Sequence, residues 1–124
     1  VTVGSVNDQL EAVVRLQIRG PQRDVEIEAI VDTGFNGALT LPPDVIATLG
    51  LHLQSRAPGV LADGSESSFD IYEALILWSG RMLRISVGSA DSEPLLGMSL
   101  LYGHDLTIQV IESGAVAIHE ILRS

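Results

Sequence analysis

The chain has neither cysteine nor lysine. Without Cys there is no thiol catalysis, no disulfide and no Cys-ligated zinc or iron–sulfur site. Without Lys there is no Schiff-base chemistry and no Walker-type phosphate loop. Cations are scarce altogether. Seven Arg face 16 Asp and Glu, for a net charge of −9 and a pI near 4.5. The Arg residues are scattered, so the cationic footprint that nucleic acid requires is missing. Long apolar runs are missing too. The longest is Ala74-Leu75-Ile76-Leu77-Trp78, against the roughly 18–20 residues of a membrane helix. The first 20 residues carry Asp8, Glu11, Arg15 and Arg19 and do not read as a secretory signal. The expectation is a cytoplasmic protein with no nucleic-acid or membrane partner. His52, His104 and His119 lack metal-ligand spacing, so neither metal nor cofactor is expected. There is no Gly-x-Ser-x-Gly to anchor a Ser–His hydrolase, and Ser65, Ser67 and Ser68 read as solvated residues.

What remains is 46% apolar and 19% charged, a composition that folds. At 124 residues the chain buries roughly two thirds of its unfolded surface, enough for one domain over residues 1–124 without staples. Period-two alternation dominates and argues for strands. Val14, Leu16 and Ile18 alternate with Arg15, Gln17 and Arg19 before Gly20-Pro21 turns the chain. Val25, Ile27, Ala29 and Val31 alternate with Glu26 and Glu28, and Ile30 makes the strand end apolar on both faces. That end should point into the core. Leu39-Thr40-Leu41 reads as a short strand, and Pro42-Pro43-Asp44 opens a short helix that Gly50 stops. Asp63-Gly64 signals a hairpin over about 57–72. Ser79-Gly80 turns the following strand into 81–87, Met98 to Tyr102 forms a helical turn or two, and 106–110 and 115–122 are the last strands. The fold class is mostly β with one or two short helices.

Asp32 stands where the second strand runs out, followed by Thr33 and Gly34. A carboxylate sent toward the core is costly without a purpose. Thr33 offers a hydroxyl, and Gly34 leaves room beside the carboxylate. The string from Ala29 to Pro42, with Val31-Asp32-Thr33-Gly34-Phe35-Asn36-Gly37-Ala38 at its centre, resembles the retropepsin-like aspartic proteases, in particular their small bacterial single-domain members. Leu95-Leu96-Gly97-Met98 is similar to the second family element, two apolar residues and a Gly before the C-terminal helix. The hairpin around Ala62-Asp63-Gly64-Ser65 falls where such proteins carry a flap. The resemblance covers about residues 12–120.

It implies a closed antiparallel β-barrel lobe, with Leu95, Leu96 and Gly97 supporting the Asp32 loop. It also implies a homodimer, because one short chain supplies one Asp-Thr-Gly. Chemistry points the same way: carboxylate-driven peptide hydrolysis needs a base for water and an acid for the departing group, which two Asp32 side chains at a two-fold axis supply. Asp32, Thr33 and Gly34 are then the catalytic motif. Phe35, Asn36, Gly37, Leu61, Ala62, Asp63 and Gly64 would meet a peptide or protein substrate, with apolar residues flanking the cut. Two departures stand out. Asn36 and Met98 occupy positions where retroviral members carry an acid and a base, and Phe35 replaces a small residue. The acidic tip at Asp63 is expected either to disfavour acidic substrates or to restrain activity until low pH. The alternation in 115–122 marks that strand as the candidate intersubunit sheet. The rival reading is a non-catalytic binding or adaptor module, antitoxin-like for example, with Asp32 structural.

Overall fold

Alternation becomes strand wherever one face can be buried. In β2 (Ala12–Arg19) the side chains of Ala12, Val14, Leu16 and Ile18 are buried while Arg15, Gln17 and Arg19 face water. Each large side chain buried this way contributes roughly 1.5–3 kcal/mol. The computed structural model describes residues 1–60 and 63–122, so Leu61 and Ala62, two of the expected substrate contacts, lie outside the described residues. The elements run β1 (Thr2–Val6), β2, β3 (Asp24–Val31), β4 (Leu39–Leu41), α1 (Pro43–Leu49), β5 (Leu53–Val60), β6 (Glu66–Trp78), β7 (Arg81–Ser89), β8 (Leu95–Leu96), α2 (Met98–Leu101), β9 (His104–Ile108) and β10 (Ala115–Glu120). Helix α1 ends as its sequence anticipates: Gly50 is left-handed at φ 73°, and its N–H caps the carbonyls of Ile46 and Ala47.

The strands form one ten-stranded sheet in the order β5-β6-β7-β4-β8-β3-β2-β1-β10-β9, with a further β2–β6 pairing through Ile18 and Ile76. The sheet is mixed, not antiparallel throughout as expected. β3 pairs with β8 in parallel, and so does β4 with β7. A period-two pattern carries no information on strand direction. The parallel pairs arise because β8 returns beside β3 only after the chain has run through β4 to β7.

Three further expectations change. β1 was invisible in the pattern, yet it pairs with both β2 and β10. The hairpin is longer than anticipated: β5 and β6 pair from Leu53↔Tyr72 to Val60↔Glu66. Its outer strand carries Pro58, tolerated because β5 lies at the sheet edge. The 115–122 segment, expected as the intersubunit sheet, pairs within the chain along most of its length. As β10, residues 115–118 are matched with β1 on one side and residues 116–120 with β9 on the other, so both backbone edges are taken over 116–118.

The core is apolar throughout. Val14, Ala29, Leu39, Leu41, Leu49, Ile76, Val87 and Leu96 are fully buried, and among the described residues no polar or charged side chain joins them. No described helix is long and apolar enough to cross a membrane.

Candidate active site

Asp32 sits one residue past β3, and the backbone around it is pinned by β8. The two-residue strand β8 lies between β3 and β4, matching Ile30 with Leu95, Val31 with Leu96, and Leu39 with Leu96. The Ile30 N–H donates to the Pro94 carbonyl at 2.9 Å, and the Asp32 N–H donates to the Leu96 carbonyl at 2.9 Å. Leu95, Leu96 and Gly97 are therefore brought to the Asp32 loop. Burying Leu96 completely anchors this pairing in the core.

The loop is shaped from within as well. Asp32 Oδ1 accepts from the Gly34 N–H at 2.9 Å, an Asx turn that fixes the carboxylate against its own backbone. The Phe35 N–H returns to the Asp32 carbonyl at 3.1 Å. Gly34 is not left-handed. A Cβ there would stand 3.2 Å from Asp32 Oδ1, so its small size serves the carboxylate rather than a strained turn.

Gly97 closes the other half of the site. Its N–H donates to the Ala38 carbonyl at 3.0 Å, and the Met98 N–H donates to the Phe35 carbonyl at 2.8 Å. A Cβ on Gly97 would lie 2.2 Å from the Gly37 carbonyl oxygen and 2.5 Å from the Phe35 ring. The Phe35 ring also covers Gly37, where a Cβ would meet it at 2.5 Å. Phe35 is thus a wedge packed on Gly37 and Gly97, not an open pocket wall. Thr40 adds a bond that the sequence did not suggest. Its Oγ1 accepts from the Leu95 N–H at 3.0 Å, tying β4 to β8.

Asp32 is half-buried, and Thr33 and Gly34 are exposed. The expectation of a deeply buried carboxylate is not met, because Ile30 and Val31 before it are themselves only half-buried. Asp32 opens into a shallow depression of about 430 Å³ whose walls include Val6, Leu10, Val31, Leu95 and Val110. Glu11 also borders it, with Oε1 held by the Asn7 side-chain amide at 3.0 Å. The rim carries exposed apolar side chains: Leu10 is 64% exposed and Val110 68%. Leu10 is held outward in a left-handed conformation, φ 59°. The Asn7 side chain braces that turn by accepting from the N–H groups of Gln9 and Glu11.

The remaining expected contacts are elsewhere. Asn36 and Gly37 border a different and larger cavity, about 1010 Å³. Asp63 and Gly64 are exposed at the hairpin tip. There Asp63 Oδ1 accepts from Ser65 Oγ at 2.6 Å and from the Ser65 N–H at 2.9 Å. These bonds, the hydroxyl first, hold the Asp63 carboxyl below its ordinary value of 3.8. Among the described residues no hydrogen bond joins the tip to the Asp32 loop, and no cluster of three or more His, Asp or Glu is placed to hold a metal.

An Asp-Thr-Gly loop locked against a parallel two-residue strand defines a known architecture. The chain has the retropepsin-like fold. It is similar to the crystal structure of a retropepsin-like aspartic protease from Rickettsia conorii. The TM-score is 0.63 at 18% identity, over 98% of this chain and 90% of that one. It is also similar to EIAV protease complexed with the inhibitor HBY-793. Here the TM-score is 0.56 at 19% identity, over 77% of this chain and 88% of that one. No protein-family model matches the chain, and no curated protein sequence matches it.

Proposed function

We propose that this chain is an aspartic endopeptidase that works as a homodimer, with Asp32 of each copy forming the catalytic pair. The observation that carries the reading is the locked Asp32 loop in a retropepsin-like fold. Structures of that fold include proteases acting on peptide bonds by name. The exposed apolar Leu10 and Val110 at the Asp32 depression support a second copy docking on this face, since water-exposed apolar side chains in a group favour burial. Each copy then supplies one carboxylate, which a single chain lacks: Glu11, the other acid at the depression, is committed to Asn7.

Two carboxylates brought together share one proton, because both cannot ionise side by side; the aspartic-protease pair is the standard example of this coupling. The ionised Asp32 takes a proton from a water, whose oxygen attacks the scissile carbonyl carbon. The protonated Asp32 donates toward the carbonyl oxygen. Collapse of the tetrahedral species breaks the C–N bond as the nitrogen gains a proton, and the pair regains its starting state. No cofactor enters these steps. The β5–β6 hairpin, tipped by Asp63 and Gly64, covers an extended peptide and adds backbone bonds to it.

Asp32→Asn tests this reading. The carboxamide oxygen still accepts from the Gly34 N–H, so the fold and the dimer are retained. Peptide cleavage, read by mass spectrometry on a mixed peptide library in mild acid, should fall by at least about 100-fold. Sedimentation velocity should report a dimer for both proteins. A folded dimer that cuts no peptide would refute the catalytic reading and favour a binding module with Asp32 structural.

A further inference from the structure

A cavity of about 1010 Å³ lies away from Asp32, which is not among its lining residues. It holds a different pair of groups. Ser79 Oγ lies 2.8 Å from His104 Nε2, across 25 residues of sequence. The other ring nitrogen, Nδ1, lies 2.9 Å from the Tyr102 carbonyl oxygen. A carbonyl only accepts, so Nδ1 carries the proton. In the neutral ring Nε2 is then the acceptor, and Ser79 donates to it. Nucleophile, base and orienting acceptor are thus in series, the relation required of an activated serine. Trp78 packs against the imidazole, ring centroids 5.4 Å apart at 55°, and restricts its rotation.

The backbone at Ser79 is a second, independent observation. Ser79 and Gly80 form the two-residue turn between β6 and β7, with φ of 53° and 81°. Such turns favour Gly, Asn or Asp at their first position. Here a serine occupies the left-handed backbone, at a cost of order 1 kcal/mol. The hydroxyl it supplies is half-buried at the mouth of the cavity.

We infer that Ser79 and His104 form a second hydrolytic site, specific for carboxylic esters with an apolar acyl group. Leu83, Ile85, Leu100 and Tyr102 line the cavity and accept the acyl chain. Arg81 and Arg84 are also in the wall, and Arg81, 3.4 Å from Glu120, is a cation for the oxyanion. Ser79 Oγ bonds to the ester carbonyl carbon while its proton passes to His104 Nε2. The tetrahedral adduct then breaks its C–O bond to the alcohol, which leaves with that proton. Water attacks the acyl-Ser79 ester and gives its proton to Nε2, and Ser79 recovers the proton as the carboxylic acid departs. The sum is ester plus water to acid plus alcohol, with no redox partner. This site shares no residue with the Asp32 pair and stands whether or not that reading holds.

The test uses the full chain with p-nitrophenyl butyrate as substrate and a fluorophosphonate as covalent probe. Three variants accompany the wild type. Ser79→Gly removes the hydroxyl but suits the turn, His104→Gln removes the base, and Ser86→Ala alters another serine bordering the cavity. Thermal melts establish that each is folded. The expected result is one phosphonyl adduct on the peptide bearing Ser79, lost in Ser79→Gly and unaffected by Ser86→Ala. Ester hydrolysis should fall at least about 100-fold in both Ser79→Gly and His104→Gln. An unlabelled Ser79 in folded wild type overturns the proposal. So does hydrolysis that survives Ser79→Gly. In either case the Ser79–His104 bond is only a latch between the β6–β7 turn and β9.

Discussion

Gly97→Ala probes how tightly the Asp32 loop is keyed to β8. The added methyl group would lie 2.2 Å from the Gly37 carbonyl oxygen, 2.6 Å from that of Phe35 and 2.5 Å from the Phe35 ring. Two of the three obstacles are backbone, so rotating Phe35 relieves only part of the clash. The loop must move away from β8. That movement strains the Gly97–Ala38 and Met98–Phe35 hydrogen bonds. Overpacking of this kind costs about 1–3 kcal/mol, and each weakened bond adds roughly 0.5–1.5 kcal/mol. The sum is about 2–6 kcal/mol, a large fraction of the roughly 5–15 kcal/mol that holds a domain together. Urea denaturation followed by circular dichroism measures it as a lowered midpoint with an unchanged slope. Gly34→Ala is the internal contrast. Its Cβ would meet only Asp32 Oδ1, at 3.2 Å, on a backbone that is not left-handed, so its cost should stay below about 1 kcal/mol. If Gly97→Ala cost no more than Gly34→Ala, the close packing of β8 on the loop would be wrong.

Thr40→Val should cost about 1–3 kcal/mol by the same assay, because it leaves the half-buried Leu95 N–H without its acceptor. An unchanged midpoint would mean that water replaces the hydroxyl. The Asp63 carboxyl should titrate below 3.8 by side-chain carbon NMR, and Ser65→Ala should raise it by removing the larger of its two bonds. Its folded value lies below its unfolded one, so the hairpin-tip bonds are fully present above 3.8 and are lost as pH falls through the lower, folded value. An Asp63 that titrates at or above 3.8 would refute the bond pattern.

Much of the fold was legible because it is written in local periodicity. The burial alternation of β2, the Pro-started and Gly-ended α1, and the Ser79-Gly80 turn each follow from a few neighbouring residues. β1 escaped because its burial is weak until Val6, leaving no apolar face to read. The Asp32 loop was legible as a motif, and its partnership with Leu95-Leu96-Gly97 through resemblance. Its half-exposure was not legible, since Ile30 and Val31 look core-bound in sequence but open onto a depression. The Asp63 carboxylate was visible as charge, but the Ser65 bonds that keep it ionised are geometry.

By itself the sequence determined the chemical repertoire. A chain without Cys or Lys, with Asp32-Thr33-Gly34 after an apolar strand, has carboxylate, hydroxyl and imidazole groups to work with. It also determined most of the strands, because alternation acts between neighbours. Tertiary structure alone decided which strands meet and in which direction. It paired the first part of β10 on both sides within the chain. It also placed Ser79 within 2.8 Å of His104. Such pairings depend on the path of the whole chain, and residues 25 or more positions apart leave no periodic trace of their contact.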